Sequence, residues 1–259
     1  MRTNPVNQRG MGLISLMIAL TIGTFLLAGL FDIWFQTRRT FTAQAELAQL
    51  QDNQRMALTI MANTVQTGGY FPYAANYPTA PNPPYSVTTA FPVTTPFTVT
   101  PVATGTQMIY QAVYGTSAAT ATTSDTLWVR YQSDGINTLD CLGQTDPVGT
   151  IVVNTYQIDA NGNLQCSLNA GSATPTWQTV ITGIAKLTIL YGVDTVGDYS
   201  VHQYMTATTV TADNDWAAVR SVNIQLTFNN PLYGQPGQTQ LTLSPISRIV
   251  AVTQTTPSI

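Results

Sequence analysis

The sequence predicts an α+β protein in which one long N-terminal helix packs against an antiparallel β-sheet. Three observations support this prediction. An apolar run without proline extends from Met11 to Phe35, a helical pattern continues from there to Gln66, and alternating strand patterns dominate after Thr126. A chain of 259 residues is long enough for such a helix and one sizeable soluble domain.

The first apolar segment, residues 11–35, predicts a membrane-spanning helix. It would be roughly 37 Å long, which exceeds a hydrocarbon thickness of about 30 Å. A cleaved secretory signal would have a shorter apolar core, with small residues before its cleavage site. A plain single-pass anchor fits the length equally well and stays open as an alternative. Arg2 and Arg9 favour a cytoplasmic N-terminus, although Arg38 and Arg39 weaken the charge difference across the helix.

Residues 36–67 predict an amphipathic continuation of the same helix. One stripe of this segment is mainly apolar, with members spaced by three, four or eight positions and Gln54 among them: Leu47, Leu50, Leu58, Met61 and Val65. Such a stripe normally packs against a sheet. Gly68 and Gly69 follow, and because two adjacent glycines favour a turn, we expect the helix to end there.

Residues 68–124 form an insert that is rich in proline and threonine. Eight prolines lie between positions 72 and 101, which excludes a long helix or a central strand over most of the insert. Interleaved Tyr and Phe argue against full disorder, because aromatic side chains can be buried on a neighbouring surface. We expect a partly ordered excursion with one short strand near Met108 to Val113.

The remaining residues, 125–259, predict the antiparallel sheet. Ile151–Ile158 and Leu164–Cys166 flank an Asn-Gly pair, which is a strong hairpin signal. Further strand patterns lie at Thr126–Tyr131, Val180–Val193, Val222–Phe228, Leu241, Leu243 and Ile249–Val252. One apolar and one polar face per strand is typical of an antiparallel sheet with one solvated side. The long helix is expected to cover the apolar face, which gives a domain of two layers.

The chain has two cysteines, Cys141 and Cys166, both beyond the predicted membrane helix. An oxidising compartment would allow them to form one intramolecular disulfide, which is the pairing we expect. Two free buried thiols or a metal site are the alternatives, although no CxxC pattern or nearby histidine supports a metal.

Composition and motifs argue against nucleic-acid binding and against catalysis. Charged residues make up 8% of the chain, and the net charge is −3. No basic cluster exists outside Arg38 and Arg39, so an electrostatic platform for nucleic acid is not expected. His202 is the one histidine, and the sequence has no GxSxG elbow, phosphate loop or HExxH motif. We therefore expect no enzymatic activity, no cofactor and no nucleic-acid partner.

The start of the chain resembles the class III signal of type IV pilins and pseudopilins. The resemblance rests on a basic leader, residues 1–10, that ends at Gly10 and is followed by the apolar pattern GLIxLMIAL. It implies that a prepilin peptidase cuts between Gly10 and Met11, and that the new amine of Met11 is methylated.

The same resemblance assigns the first turns of the apolar helix to filament assembly. It implies that Leu13, Ile14, Ser15 and Leu16 pack among neighbouring subunits. Most members of the family have Glu at the fifth mature position, which is Ser15 in this chain. A buried amine is costly unless a neighbour neutralises it, and Ser15 can offer only a neutral hydrogen bond. We therefore expect a subunit with a specialised position instead of a repeating shaft component, and the alternative is that packing against different pilins simply tolerates Ser15.

Five blocks in the second half resemble the PilW family of minor pilins, in the same order along the chain. They are Ser124–Tyr131, Asp140–Gly143, Asn163–Cys166, Tyr191–Asp194 and Trp216–Val222. The resemblance implies a type IV pilin-like fold and a minor pilin that joins a priming or tip complex to initiate type IV pilus assembly. A minor pseudopilin of a type II secretion system, or a tip adhesin or DNA-uptake pilin that binds through the insert, are the alternatives.

The PilW resemblance also implies partners and a location. Other minor pilins, the major pilin, the prepilin peptidase and the inner membrane are the expected partners, with a tip adhesin as a further one. Before assembly the chain would be a single-pass inner-membrane protein with its C-terminal domain in the periplasm. After assembly it would lie in the pilus at the cell surface.

One loop offers a weak metal hypothesis. Relatives of the family often have more Asp in the region of Asp194 and Asp198, in a loop that resembles calcium-binding repeats. Calcium needs six to eight oxygen ligands, and Val196 occupies a place where an acidic ligand would help. A glycine-containing turn with hydrogen bonds from the Asp side chains is the favoured alternative, so we expect no metal site.

Overall fold

The computed structural model describes residues 12–70, 112–120, 123–168, 170 and 174–252. The predicted leader and most of the proline-rich insert therefore lie outside the described residues. The chain divides into two compact units between Gln49 and Leu50. The first unit contains the beginning of the long helix, and the second contains the end of that helix together with all the described strands.

The long helix, α1, runs without a break over Leu13–Thr67. Its most apolar window of 18 residues has a mean hydropathy of 2.3, and none of that window is buried. The helix is therefore long and apolar enough to cross a membrane. Large apolar side chains from Leu13 to Phe35 are exposed all around the axis, as a lipid-facing helix requires.

The end of α1 packs inside the second unit. Ala57, Met61 and Val65 are fully buried there, whereas Leu47 in the first unit is 37% exposed. Only the last part of the predicted apolar stripe is thus buried. The helix ends at Thr67, as the glycine pair predicted, and Gly69 takes a positive φ of 77°.

Nine strands are described, and all pair in antiparallel fashion. They are β1 Val113–Thr116, β2 Thr126–Gln132, β3 Ile151–Ile158, β4 Leu164–Ser167, β5 Gln178–Ile181, β6 Ile184–Val193, β7 Gln203–Met205, β8 Val219–Phe228 and β9 Ile246–Ala251. Sheet A has the order β1-β2-β3-β4-β5, and sheet B has the order β7-β6-β8-β9. A short helix, α2 Ala207–Asp213, and a 3₁₀ turn, Trp216–Ala218, precede β8. The predicted combination of a long helix with antiparallel strands is confirmed.

The expectation of one sheet is wrong, and a glycine explains the difference. The continuous pattern predicted over Val180–Val193 is interrupted at Gly183, which has a φ of 83°. A residue with this backbone conformation cannot continue a strand. The chain therefore leaves sheet A at Ile181 and begins sheet B at Ile184.

Strand β2 is buried more completely than the sequence predicted. Its residues are buried on both faces, whereas one solvated face was predicted. The ring of Trp128 lies 5.3 Å from that of Tyr114, and Trp216 lies within 4.9 Å of both Tyr114 and Tyr191 of β6. These ring contacts run from Trp128 on the second face of β2 to Tyr191 in sheet B, and all four aromatic side chains belong to the buried core.

The prediction that these two strands pair as a hairpin is confirmed. β3 pairs with β4 from Ile158 opposite Leu164 to Thr155 opposite Ser167. The turn is held by Asp159, whose carboxylate accepts hydrogen bonds from the backbone N–H groups of Asn161 and Asn163. The other predicted strand material at Leu241 and Leu243 is mostly loop, with one isolated bridge between Asn229 and Thr242.

Candidate functional site

The residues to which the sequence assigned a role fall in three separate places. These places are the start of α1, the loop that follows β6, and residues 133–150 between β2 and β3, which contain Cys141 and are called the disulfide loop. Gly10 and Met11, the predicted cleavage and methylation positions, lie outside the described residues.

The start of α1 presents the predicted assembly residues to the surroundings. Leu13 and Ile14 are 74% and 73% exposed, and Leu16 is also exposed. The hydroxyl of Ser15 donates a hydrogen bond of 2.7 Å to the carbonyl of Gly12. Ser15 thus satisfies its own donor within the helix and carries no charge that could neutralise a nearby amine.

Cys141 and Cys166 form the predicted disulfide, with their Cα atoms 6.4 Å apart. Neither cysteine is free, so the alternatives of two thiols and a thiolate metal site do not apply. Cys166 is fixed on β4, and the backbone N–H of Cys141 donates to Oδ1 of Asn154 on β3 at 2.8 Å. The loop is therefore tied to two neighbouring strands of sheet A.

A group of buried polar side chains lies beneath this loop. Tyr131 and Asn154 are fully buried, and Asp140 is nearly so. Burial raises the pKa of the Tyr131 hydroxyl, and the negative charges of Asp146 and Asp140 raise it further. Burial and the charge of Asp140 likewise raise the pKa of Asp146. Sequence reasoning missed this group, because nothing in the strand pattern marks Tyr131 as facing acidic residues of a loop.

The loop after β6 is organised by one carboxylate. Oδ1 of Asp194 accepts hydrogen bonds from the backbone N–H groups of Val196, Gly197 and Asp198, and Oδ2 accepts one from Tyr199. These bonds hold Tyr199 at a positive φ of 65°, which is uncommon for a residue with a side chain. The loop is therefore rigidly folded around Asp194.

Asp194 also lies between two cationic or ionisable partners. The guanidinium of Arg220 donates to its Oδ2 at 3.3 Å, and Nδ1 of His202 lies 3.8 Å from its Oδ1. Nε2 of His202 lies 3.3 Å from Oδ2 of Asp198. Burial opposes ionisation of Asp194, yet the backbone hydrogen bonds and Arg220 outweigh it and lower its pKa to about 2.

This geometry limits what the loop can bind. Asp194, Asp198 and His202 form a group whose potential ligand atoms lie within 4.8 Å of one another. However, both oxygens of Asp194 already accept N–H donors, and Arg220 places a positive charge beside them. A cation would have to displace those donors and would be repelled by Arg220. The arrangement is therefore that of a side-chain-capped turn.

The block at Ser124–Asp125 has a structural role that links the two sheets. The hydroxyl of Ser124 accepts the N–H of Leu187, and Oδ2 of Asp125 accepts the N–H of Ile189 at 2.7 Å. Oδ1 of Asp125 accepts the N–H of Ala118, also at 2.7 Å. Asp125 therefore takes the place of a neighbouring strand along one edge of β6.

A family model matches the part of the chain that contains the last three of the five sequence blocks described above. Residues 151–256 match the family model PilW, described as type IV pilus-assembly protein W. Among solved structures, the type IV-like pilin TTHA1219 from Thermus thermophilus aligns with 80% of this chain and 97% of its own, at 13% identity and a TM-score of 0.45. None of the curated proteins matches the chain. The PilW resemblance is thus confirmed over residues 151–256, a region similar to PilW-type proteins of type IV pilus assembly.

Proposed function

We propose that this chain is a minor pilin of PilW type, which joins other minor pilins in a priming or tip complex and so initiates type IV pilus assembly. The observation that carries the proposal is the PilW match over residues 151–256 in a chain whose N-terminal helix is apolar and exposed. The role is structural, and the proposal assigns no catalytic residue and no cofactor.

The first stage of this function is membrane anchoring. Residues 11–35 span the inner membrane, with the leader in the cytoplasm and the strands in the periplasm. Arg2 and Arg9 support this orientation. The prepilin peptidase then cuts between Gly10 and Met11, and Met11 is methylated. A periplasmic location also suits the disulfide, because that compartment is oxidising.

The second stage is packing within a filament. The exposed apolar side chains from Leu13 to Phe35 leave lipid and pack against the helices of neighbouring pilins, both minor and major. A methylated amine at Met11 would then need a neutralising partner in an apolar surrounding. Ser15 cannot supply one, so the chain occupies few positions at or near the tip and does not repeat along the shaft.

The substitution Ser15→Glu tests this assignment in cells that make pili. It adds the carboxylate with which shaft subunits neutralise the N-terminal amine of a neighbour. We therefore expect labelled subunits to appear along the shaft, and their number per filament to rise several-fold. Ser15→Ala is the matched control, because it removes only the local hydrogen bond to Gly12, and it should leave the number unchanged.

Deletion of the gene distinguishes a role in type IV pilus assembly from a role in type II secretion. Loss of surface pili with normal protein secretion supports the proposal. Loss of type II secretion with normal pili would assign the chain to a pseudopilus instead.

A further inference from the structure

A cavity of about 610 Å³ lies within the second unit, beside the last turns of α1. One wall is a single face of the helix, with Met56, Ile60 and Thr64 at spacings of four residues. The opposite wall is the disulfide loop, which contributes Leu139 and Leu142. The volume is within the range that accommodates a ligand or several side chains of a partner.

The third wall is strand β5, and it meets the cavity with its edge. Gln178, Thr179 and Val180 all line the cavity. Successive side chains of a strand point to opposite faces of a sheet, so three consecutive residues line one cavity only where the cavity adjoins the strand edge. Among the described residues β5 pairs with β4 alone, which leaves its other edge towards the cavity.

The residues of β5 themselves lack two of the features that usually prevent strand pairing. Natural edge strands are protected by charged side chains, by proline or by a covering element. β5 has the sequence Gln-Thr-Val-Ile, with neither a charge nor a proline. Its first two residues are exposed, and Val180 is half-buried at the cavity. Among the described residues no strand pairs with this edge, which adjoins a cavity lined by apolar residues such as Ile60 and Leu142 and by polar ones such as Asn63 and Gln144.

One of the residues that line the cavity is charged, and it is the acidic Asp140. From Tyr131 to Ala185 the chain contains four Asp residues and neither Lys nor Arg. Three of these carboxylates, Asp134, Asp140 and Asp146, belong to the loop that forms one wall of the cavity or adjoins it. A partner segment with lysine or arginine would be attracted to this region, whereas an acidic one would be repelled.

We propose that this cavity binds an extended segment of a partner protein, which adds as a strand to the open edge of β5. Every second side chain of the segment is apolar and enters the space between Ile60, Leu142 and Val180, and the side chains between them are neutral or basic. Backbone hydrogen bonds supply affinity and the alternating side chains supply specificity. Only the source of the segment, another pilus-assembly protein, rests on the proposed function.

A fluorescent nine-residue peptide tests the proposal on the purified full chain in detergent micelles. The probe has valine at every second position, with lysine and threonine between. We expect saturable binding and slower hydrogen exchange of the amides of Gln178–Ile181. A peptide with glutamate in place of lysine should bind at least about tenfold more weakly.

Two backbone-methylated forms of the probe separate strand addition from side-chain binding. One form carries N-methyl groups on the odd residues and the other on the even residues, so each blocks one edge of the peptide. Strand addition predicts that one form loses binding and the other retains it. Equal binding of both forms, or slower exchange at Ile246–Ala251 instead of β5, would overturn the proposal.

Val180→Trp blocks the cavity without changing the backbone, and Val180→Ile is its matched control. Affinity for the peptide should fall at least about tenfold in the first variant and remain within about twofold in the second. Self-association of the chain that is lost in Val180→Trp would show that a second copy occupies the edge, and would overturn the assignment to a different protein. Because binding is measured on purified protein, these outcomes do not depend on whether the chain enters pili.

Discussion

Single side chains hold together parts of this molecule that are distant in sequence. Asp125 accepts backbone N–H groups from Ala118 and from Ile189 of β6, so one carboxylate joins sheet A to sheet B. Asp194 similarly fixes a whole loop through four backbone N–H groups. Asp194 lies in a block within the region that matches the PilW family model, and Asp125 lies in a block that precedes this region. Their structures give a physical reason for those blocks, because no apolar residue could satisfy the same donors.

Removal of the Asp125 carboxylate should therefore destabilise the second unit. Asp125→Ala leaves the buried N–H of Ile189 and the N–H of Ala118 without an acceptor, which costs about 2–6 kcal/mol at roughly 1–3 kcal/mol per group. Asp125→Asn keeps one carbonyl oxygen and should lose less. Denaturant unfolding of the full chain measures both, and equal stability of Asp125→Ala and wild type would contradict this role.

The lowered pKa of Asp194 predicts that the folded chain loses stability in acid. Its pKa in the folded chain is about 2, below its usual value of 3.8. A carboxylate with a lowered pKa stabilises the fold above pH 3.8, and this contribution is lost as the pH falls towards 2. The melting temperature should therefore fall between pH 5 and about pH 2, less steeply in Asp194→Asn.

The control for this pH dependence is Asp213→Asn, which removes an exposed carboxylate from α2. Its melting temperature should follow that of wild type through the same pH range. Asp159 also has a lowered pKa, because the backbone N–H and the side chain of Asn163 donate to it. Some acid sensitivity is therefore expected to remain in Asp194→Asn, and an unchanged slope in that variant would contradict the role of Asp194.

At the scale of elements, the disulfide loop and the hairpin were predictable because their signals are local. An Asn-Gly pair between alternating segments indicates a hairpin by itself, and two cysteines allow only one intramolecular pairing. The break at Gly183 was not predicted, because the alternation of apolar residues continues on both sides of it. Periodicity reports which face is buried, and it does not report to which sheet a strand belongs.

The disulfide should contribute substantially to the stability of the second unit. It closes a loop with a sequence separation of 25 residues, for which chain entropy gives roughly 3–4 kcal/mol. Replacement of Cys141 and Cys166 by Ala should lower the free energy of unfolding by about that amount. Reductant should lower the stability of wild type similarly and leave the double variant unchanged, and a loss below about 1 kcal/mol would contradict the estimate.

At the scale of the whole molecule, the helix and the strand content were predictable, whereas the arrangement of the strands was not. The ring of Trp128 on β2 contacts Tyr114, and Tyr114 in turn contacts Trp216, which is distant in sequence and lies outside the described strands. The loop around Asp194 was expected as a turn, but its ion pair with Arg220 could not be read from spacing. The features that the sequence pattern did not predict, namely the arrangement of the strands and these side-chain partners, thus depend mostly on contacts between distant segments.

The central claim is that one apolar helix first anchors the chain in the membrane and later packs against the helices of neighbouring subunits in a pilus. The most direct test is mass spectrometry of the intact protein from two fractions, the inner membrane and sheared pili. In peptidase-competent cells both fractions should contain a chain that begins at Met11 with a methylated amine. A chain in sheared pili that still begins at Met1 or Arg2 would contradict the claim.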